Sequence, residues 1–264
     1  MKIGILRKLR SKKDNVIQYH LPIGDETIDL NQYIGKPFHL EFTGNIYCLD
    51  THKKLKKTYG QGYSWESYVT LAKCDQCILR PHLCHYALGT CREPEWGEKH
   101  CLQPHIIYLS LTSDLKVGIT RKTQIPTRWI DQGAVKAIKL AEVKDRLTSG
   151  KIEIELAKKM SDKTNWRNML KNEYQDVDLI KIKKDIVESQ KDLLDKYGAQ
   201  ILDDEIYEFN YPVESYPQKI SAFNFHKSPL VGGVLQGIKG QYLIFDKGVI
   251  NIRKFQGYEV KVES

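Results

Sequence analysis

The chain has 264 residues and a mass of 30.6 kDa, with 41 % hydrophobic and 28 % charged residues, enough for a large buried core and too apolar for long-range disorder. Lys and Arg number 41 against 33 Asp and Glu, a formal charge of +8, which puts nucleic acid and other polyanions first among partners to test. No apolar run approaches the roughly 18 to 20 residues that span a bilayer, and MKIGILRKLRSKK turns from apolar to basic, the reverse of a secretory signal. The expected location is therefore cytoplasmic, away from membranes.

In chain order, Val16–Leu21, Phe38–Phe42 and Ile46–Cys48 alternate between Gly and Pro residues and predict short strands. Arg7, Lys8, Arg10, Lys12 and Lys13 form one basic run, and Lys53, Lys54, Lys56 and Lys57 form another, followed by Tyr59, Tyr63, Trp65 and Tyr68. Basic residues leading into aromatics suit backbone neutralisation plus base stacking on single-stranded nucleic acid, with Lys56 and Lys57 as candidate contacts. A solvated loop beside core aromatics has the same pattern. Cys48 stands alone and reads as a buried thiol.

Five of the six cysteines fall in KCDQCILRPHLCHYALGTCREPEWGEKHC, spaced C-x2-C-x6-C-x6-C-x9-C, with His82, His85 and His100 among them. In a reducing compartment such a cluster points to a metal site rather than disulfides. A C-x2-C turn aims two thiolates at one point, and a later pair completes a tetrahedron around Zn²⁺. Cys74 and Cys77 are the expected first pair. Cys84, Cys91, Cys101 and the three histidines compete for the other two positions, Cys84 being favoured. An iron–sulfur cluster is the alternative occupant.

After Cys101, Ile106–Leu111 and Leu115–Thr120 read as a hairpin around Thr112–Asp114. Pro126 and Gly133 bracket a short helix with Arg128 and Trp129, Val135–Val143 is a third strand, and Thr148 or Ser149 caps a helix through Ile152, Leu156 and Met160. Asp176–Tyr197 carries a helical apolar period ended by Gly198. Beyond Glu205, strands are expected at Ile206–Tyr211, Ile220–Phe225, Val231–Leu235, Gln241–Phe245, Val249–Arg253 and Tyr258–Val262, with glycine corners suited to a small barrel that takes in N-terminal strands.

IIY at 106–108, KVGIT at 116–120 and the Arg128–Trp129 pair resemble the core of GIY-YIG nucleases. Together with GTCREPEWGEKHC, RWIDQGA and DKTNWRNMLK, and with GIKGQY and GVINIRK near the C-terminus, the chain resembles an uncharacterised bacterial family that joins a cysteine-rich zinc module to such a core. The resemblance implies that Tyr108 activates water, that Arg128 stabilises charge on phosphorus, and that Glu153 holds one Mg²⁺ or Mn²⁺, with Asn165 at the trailing asparagine position. Lys116 occupies the place of the second tyrosine. It serves as a base if burial lowers its pKa, and otherwise as a phosphate ligand.

The expected protein is α+β. A β-rich segment (1–70) precedes a zinc-binding cysteine module (71–104), a GIY-YIG-like core (105–172), a helical segment (173–204) and a β-rich, barrel-like C-terminal part (205–264). Its expected function is zinc-supported nucleic-acid binding, with metal-dependent endonuclease activity if Lys116 permits, and with Arg121 and Lys122 as further contacts. The alternatives are a non-catalytic RNA- or DNA-binding module and a zinc-stabilised protein adaptor.

Overall fold

In a computed structural model describing residues 2–158, 160 and 165–263, the strand Pro37–Tyr47 is the hub of the largest sheet. It pairs antiparallel with Tyr258–Glu263 on one side and Leu230–Lys239 on the other. Lys2–Ile5 extends the sheet beyond Tyr258–Glu263, and Tyr242–Phe245 then Gly248–Asn251 extend it beyond Leu230–Lys239. N- and C-terminal strands thus share one sheet, because Phe38, Leu40, Val260 and Val262 all bury the same apolar face.

Among the described residues this sheet stays open and closes into no barrel. Ile220–Phe225 makes only the isolated bridge Ala222–Val249 instead of a strand. The Asn224 side chain accepts a hydrogen bond from the His226 backbone N–H at 2.9 Å, and Lys227 and Ser228 turn back onto its carbonyl, which ends the extension. Val249–Arg253 likewise gives way to a 3₁₀ turn at Ile252–Phe255.

The hairpin expected at 106–120 forms as His105–Leu111 and Leu115–Arg121, with Lys136–Val143 on its other side. All of His105–Leu111 is buried, because the strand has protein on both faces. Ile107 and Leu109 pack with Ile152 and Leu156 of the helix Arg146–Ala157, and with Leu179 and Leu194. Ile106 and Tyr108 face Trp129, Ile130 and the core of the large sheet.

The helix Arg146–Ala157 starts earlier than its sequence suggested. Asp145 is the cap, accepting from the Thr148 N–H at 2.7 Å, so Thr148 and Ser149 lie buried within the first turns. The period at 176–197 divides into Leu179–Ser189 and Lys191–Lys196 around Gln190, which lets Leu194 join Leu179 in one apolar layer. Residues 162–164 of the DKTNWRNMLK motif lie outside the described residues. No helix among the described residues is long and apolar enough to cross a membrane.

Candidate functional site

Tyr108, Lys116, Arg128 and Glu153, from two strands and two helices of the central unit, line one cleft of about 460 Å³. The strand register explains the first two. Tyr108 lies opposite Gly118 and Ser110 opposite Lys116, so Lys116 and Tyr108 sit one alternation apart across the hairpin. A Cβ on Gly118 would come within 2.6 Å of the Tyr108 hydroxyl, so the phenol crosses the strand only because that position has no side chain. Gly118→Ala is therefore expected to displace Tyr108 and destabilise the fold by about 1–3 kcal/mol, the usual range for overpacking, measurable by urea denaturation.

The Tyr108 hydroxyl donates to Gln132 Oε1 at 3.0 Å, and its ring meets Trp129 edge-on at 5.6 Å. Burial raises its pKa, partly opposed by the Arg128 guanidinium, so it remains a neutral phenol at ordinary pH. Burial has the opposite sign for a cation. It holds Lys116 down to about 8, helped by Arg128 and opposed by Glu153. Burial raises the pKa of Glu153, while Arg128, Arg146 and a backbone hydrogen bond from Ile119 counter it.

The walls are cationic. Lys8 and Arg253 come from the large-sheet unit, Arg121 from the hairpin and Arg146 from the helix start. Asp131 is the other carboxylate lining the cleft, and it is committed to Lys8 Nζ at 2.9 Å and Gln241 Nε2 at 2.8 Å. A space with six cationic side chains against two carboxylates attracts a phosphate-rich ligand.

The cysteine module forms the cleft's remaining edge through Ile78, Leu79 and Pro81. It packs tightly on the helix that carries Glu153. A Cβ on Gly150 would meet Pro81 at 2.5 Å, and Arg146 donates from Nη2 to the Ile78 carbonyl and from its backbone to Cys101 O. Cys77, Cys84, Cys91 and Cys101 line one small cavity of about 10 Å³, together with Asp75 and His85. Burial pushes Cys77 up to about 12, with Asp75, Cys84 and Cys101 adding to it, and burial with Cys84 and Cys91 raises Cys101. Asp75, Cys77 and His85 bring their ligand atoms within 4.8 Å of one another, so this group could hold a metal.

A family profile described as "Protein of unknown function (DUF2797)" matches residues 35–260. The chain belongs to that family. No curated protein and no solved structure matches it. The match spans the strand Pro37–Tyr47, the cysteine module, most of the C-terminal strands and every residue lining the cleft except Lys8.

Other expected site residues lie elsewhere. Cys74 does not line the cavity of the other four cysteines. Its raised pKa reflects burial first, with Lys73 and Arg92 opposing and Asp50 and Cys48 adding. Cys48 is buried as expected, yet hydrogen bonds from Ser67, Thr51 and Ser64 outweigh its burial and hold its thiol at about 6. Asn165 is exposed and caps the helix Trp166–Lys171, accepting from the Arg167 and Asn168 N–H groups. Lys122 pairs with Glu142 at 2.8 Å on the outer surface, and Lys56 and Lys57 are exposed and line no part of the cleft. The sequence reading missed Lys8, Gln132, Arg146 and Arg253. Gln132 is legible in RWIDQGA as one helical turn from Arg128, whereas nothing in the basic run that contains Lys8 or in GVINIRK, which contains Arg253, links them to the cleft.

Proposed function

We propose that this protein grips the phosphodiester backbone of a nucleic acid in the cleft and hydrolyses it with help from a divalent cation. The reading is carried by one observation: Tyr108, Lys116, Arg128 and Glu153 border a single cationic space large enough for a nucleotide. Their order along the chain, with the resemblance of IIY, KVGIT and the Arg-Trp pair to the GIY-YIG core, supports the reading.

Lys116 is the base with the pKa suited to neutral or mildly alkaline conditions, whereas Tyr108 keeps its proton, directed at Gln132, and orients the attacking water by accepting from it. Neutral Lys116 takes a proton from the attacking water as its oxygen bonds to phosphorus. The bond to the leaving oxygen breaks, and solvent protonates that oxygen. Arg128 faces the charge that builds on the phosphoryl oxygens. Mg²⁺ or Mn²⁺ on Glu153 would supply charge neutralisation for the leaving oxygen. One carboxylate, completed by water and phosphate, fits Mg²⁺, and Asp131 is already occupied by Lys8 and Gln241.

Zn²⁺ held by Cys77, Cys84, Cys91 and Cys101 would brace this cleft. Four thiols around one small cavity suit a single tetrahedral ion. Asp75 fits less well as a ligand, because Arg92 Nε already holds it at 2.7 Å. A protein-adaptor role is the second reading. Leu79 and Leu88 of the same module are 83 % and 78 % exposed, an unusual loss of apolar burial without a partner.

Mg²⁺-dependent cleavage of labelled DNA and RNA substrates tests the proposal. Glu153→Gln is expected to lower cleavage about 10²- to 10³-fold while leaving binding in EDTA intact. Undiminished cleavage by Glu153→Gln overturns the catalytic reading.

A further inference from the structure

We infer that the aromatic cluster Tyr59, Trp65 and Tyr68 is a stacking platform for unpaired bases of a nucleic acid whose backbone runs on into the cleft. The inference rests on the phosphate-gripping reading of the cleft and deepens it by naming the substrate as one with a single-stranded segment.

Trp65 is 58 % exposed, a large aromatic surface left to solvent. It is not a stray side chain. Tyr59 and Trp65 lie 5.2 Å apart at 62°, Trp65 and Tyr68 6.0 Å apart, and Tyr59 and Tyr68 6.3 Å apart in a stacked arrangement. The support beneath is rigid. Ser64 caps the helix Trp65–Thr70 by accepting from the Ser67 N–H, Cys48 Sγ accepts from the Ser64 N–H at 3.2 Å, and the Ser67 hydroxyl donates to Asp50 at 2.9 Å. Tyr59 and Tyr63 exchange both backbone hydrogen bonds and so close the turn that presents Tyr59. A preorganised aromatic surface loses little entropy when a ring stacks on it.

Charge selects the partner. Lys57 Nζ lies 5.1 Å from the Tyr59 ring centre and Lys73 Nζ 4.8 Å from that of Tyr63, with exposed Lys53, Lys54 and Lys56 nearby in sequence. Asp50 and Glu66 are the acids of this stretch, and Asp50 is engaged by Ser67. Aromatic faces edged by ammonium groups fit bases joined by phosphates. A protein partner would gain from the rings and not from the lysines.

Position connects the platform to the cleft. Arg253 lines the cleft, and its Nε donates to Gln61 Oε1 at 2.8 Å, two residues from Tyr59 and in the same turn. A strand leaving the cleft past Arg253 meets Tyr59 next. Stacking on Trp65 needs a base freed from its neighbours, which a tail, loop or junction offers and a blunt duplex does not.

The test is fluorescence anisotropy of the full-length protein in EDTA, using a labelled DNA duplex with an oligothymidine tail and the same duplex blunt. Trp65→Ala is expected to weaken binding of the tailed duplex about tenfold and to leave the blunt duplex unchanged, whereas Trp65→Phe keeps most of the affinity. Arg128→Ala weakens both. Unchanged affinity of Trp65→Ala for the tailed duplex overturns the platform, and the cleft reading then stands if Arg128→Ala still weakens both. Loss in Trp65→Ala with none in Arg128→Ala keeps the stacking surface and removes the cleft.

Discussion

Lys116→Met is expected to cut Mg²⁺-dependent cleavage by about 10²- to 10⁴-fold, the range for losing a positioned general base. The reason is electrostatic. Burial and Arg128 disfavour the ammonium form and hold Lys116 at about 8, so a useful fraction is neutral near physiological pH. Only the neutral amine accepts a proton, so the rate should climb about tenfold per pH unit below about 8 and level off above it. Lys116→Arg separates the two roles of this side chain. An arginine still attracts phosphate but does not deprotonate, so substrate affinity should persist while cleavage is lost. A flat pH profile in the unaltered protein, or activity retained in Lys116→Arg, would rule out Lys116 as the base. The same burial affects stability. The folded pKa lies below the unfolded one, so the unfolded chain binds more protons between about 8 and lysine's ordinary value, and this group's contribution to stability increases as pH rises through that window.

Stripping the Zn²⁺ proposed for the cysteine module is expected to lower the melting temperature by at least about 10 °C and to abolish binding in the cleft. Zinc-finger peptides draw about 10 to 16 kcal/mol from their ion, and each kcal/mol lost shifts the midpoint about 2–4 °C in a chain of this size. The module has few buried apolar side chains of its own: Leu79, Leu83 and Leu88 all point outward. What it positions is close by. Arg146 is tied to Ile78 and Cys101, and Gly150 sits against Pro81, on the helix that carries Glu153. Elemental analysis should find one zinc per chain. Cys77→Ser and Cys91→Ser should lose both the zinc and the thermal stability, and Cys74→Ser should keep both. Zinc retained by Cys91→Ser and lost by Cys74→Ser would refute this ligand set.

The hairpin, its third strand and the short Arg128 helix were legible because each rests on local rules. Apolar runs of strand length were bounded by turn residues at 112–114, and Pro126 and Gly133 bracketed the helix. The helix cap was misjudged because Asp145, Thr148 and Ser149 are all good caps, and only the packing of Ser149 and Gly150 decides that they lie inside the helix. The barrel expectation assumed that every β-rich run pairs, and Asn224 turned one of them away.

The sequence by itself determined the family and marked the candidate residues of the hairpin and helix and the cysteine cluster, since residue type and spacing act over a few positions. Tertiary structure alone decided which residues share a space. Lys8 and Arg253, from opposite ends of the chain, reach the cleft of Tyr108, and Cys74 parts from Cys77 three positions away. Such neighbours arise when buried faces and strand registers bring distant segments together, and no periodicity along the chain records that.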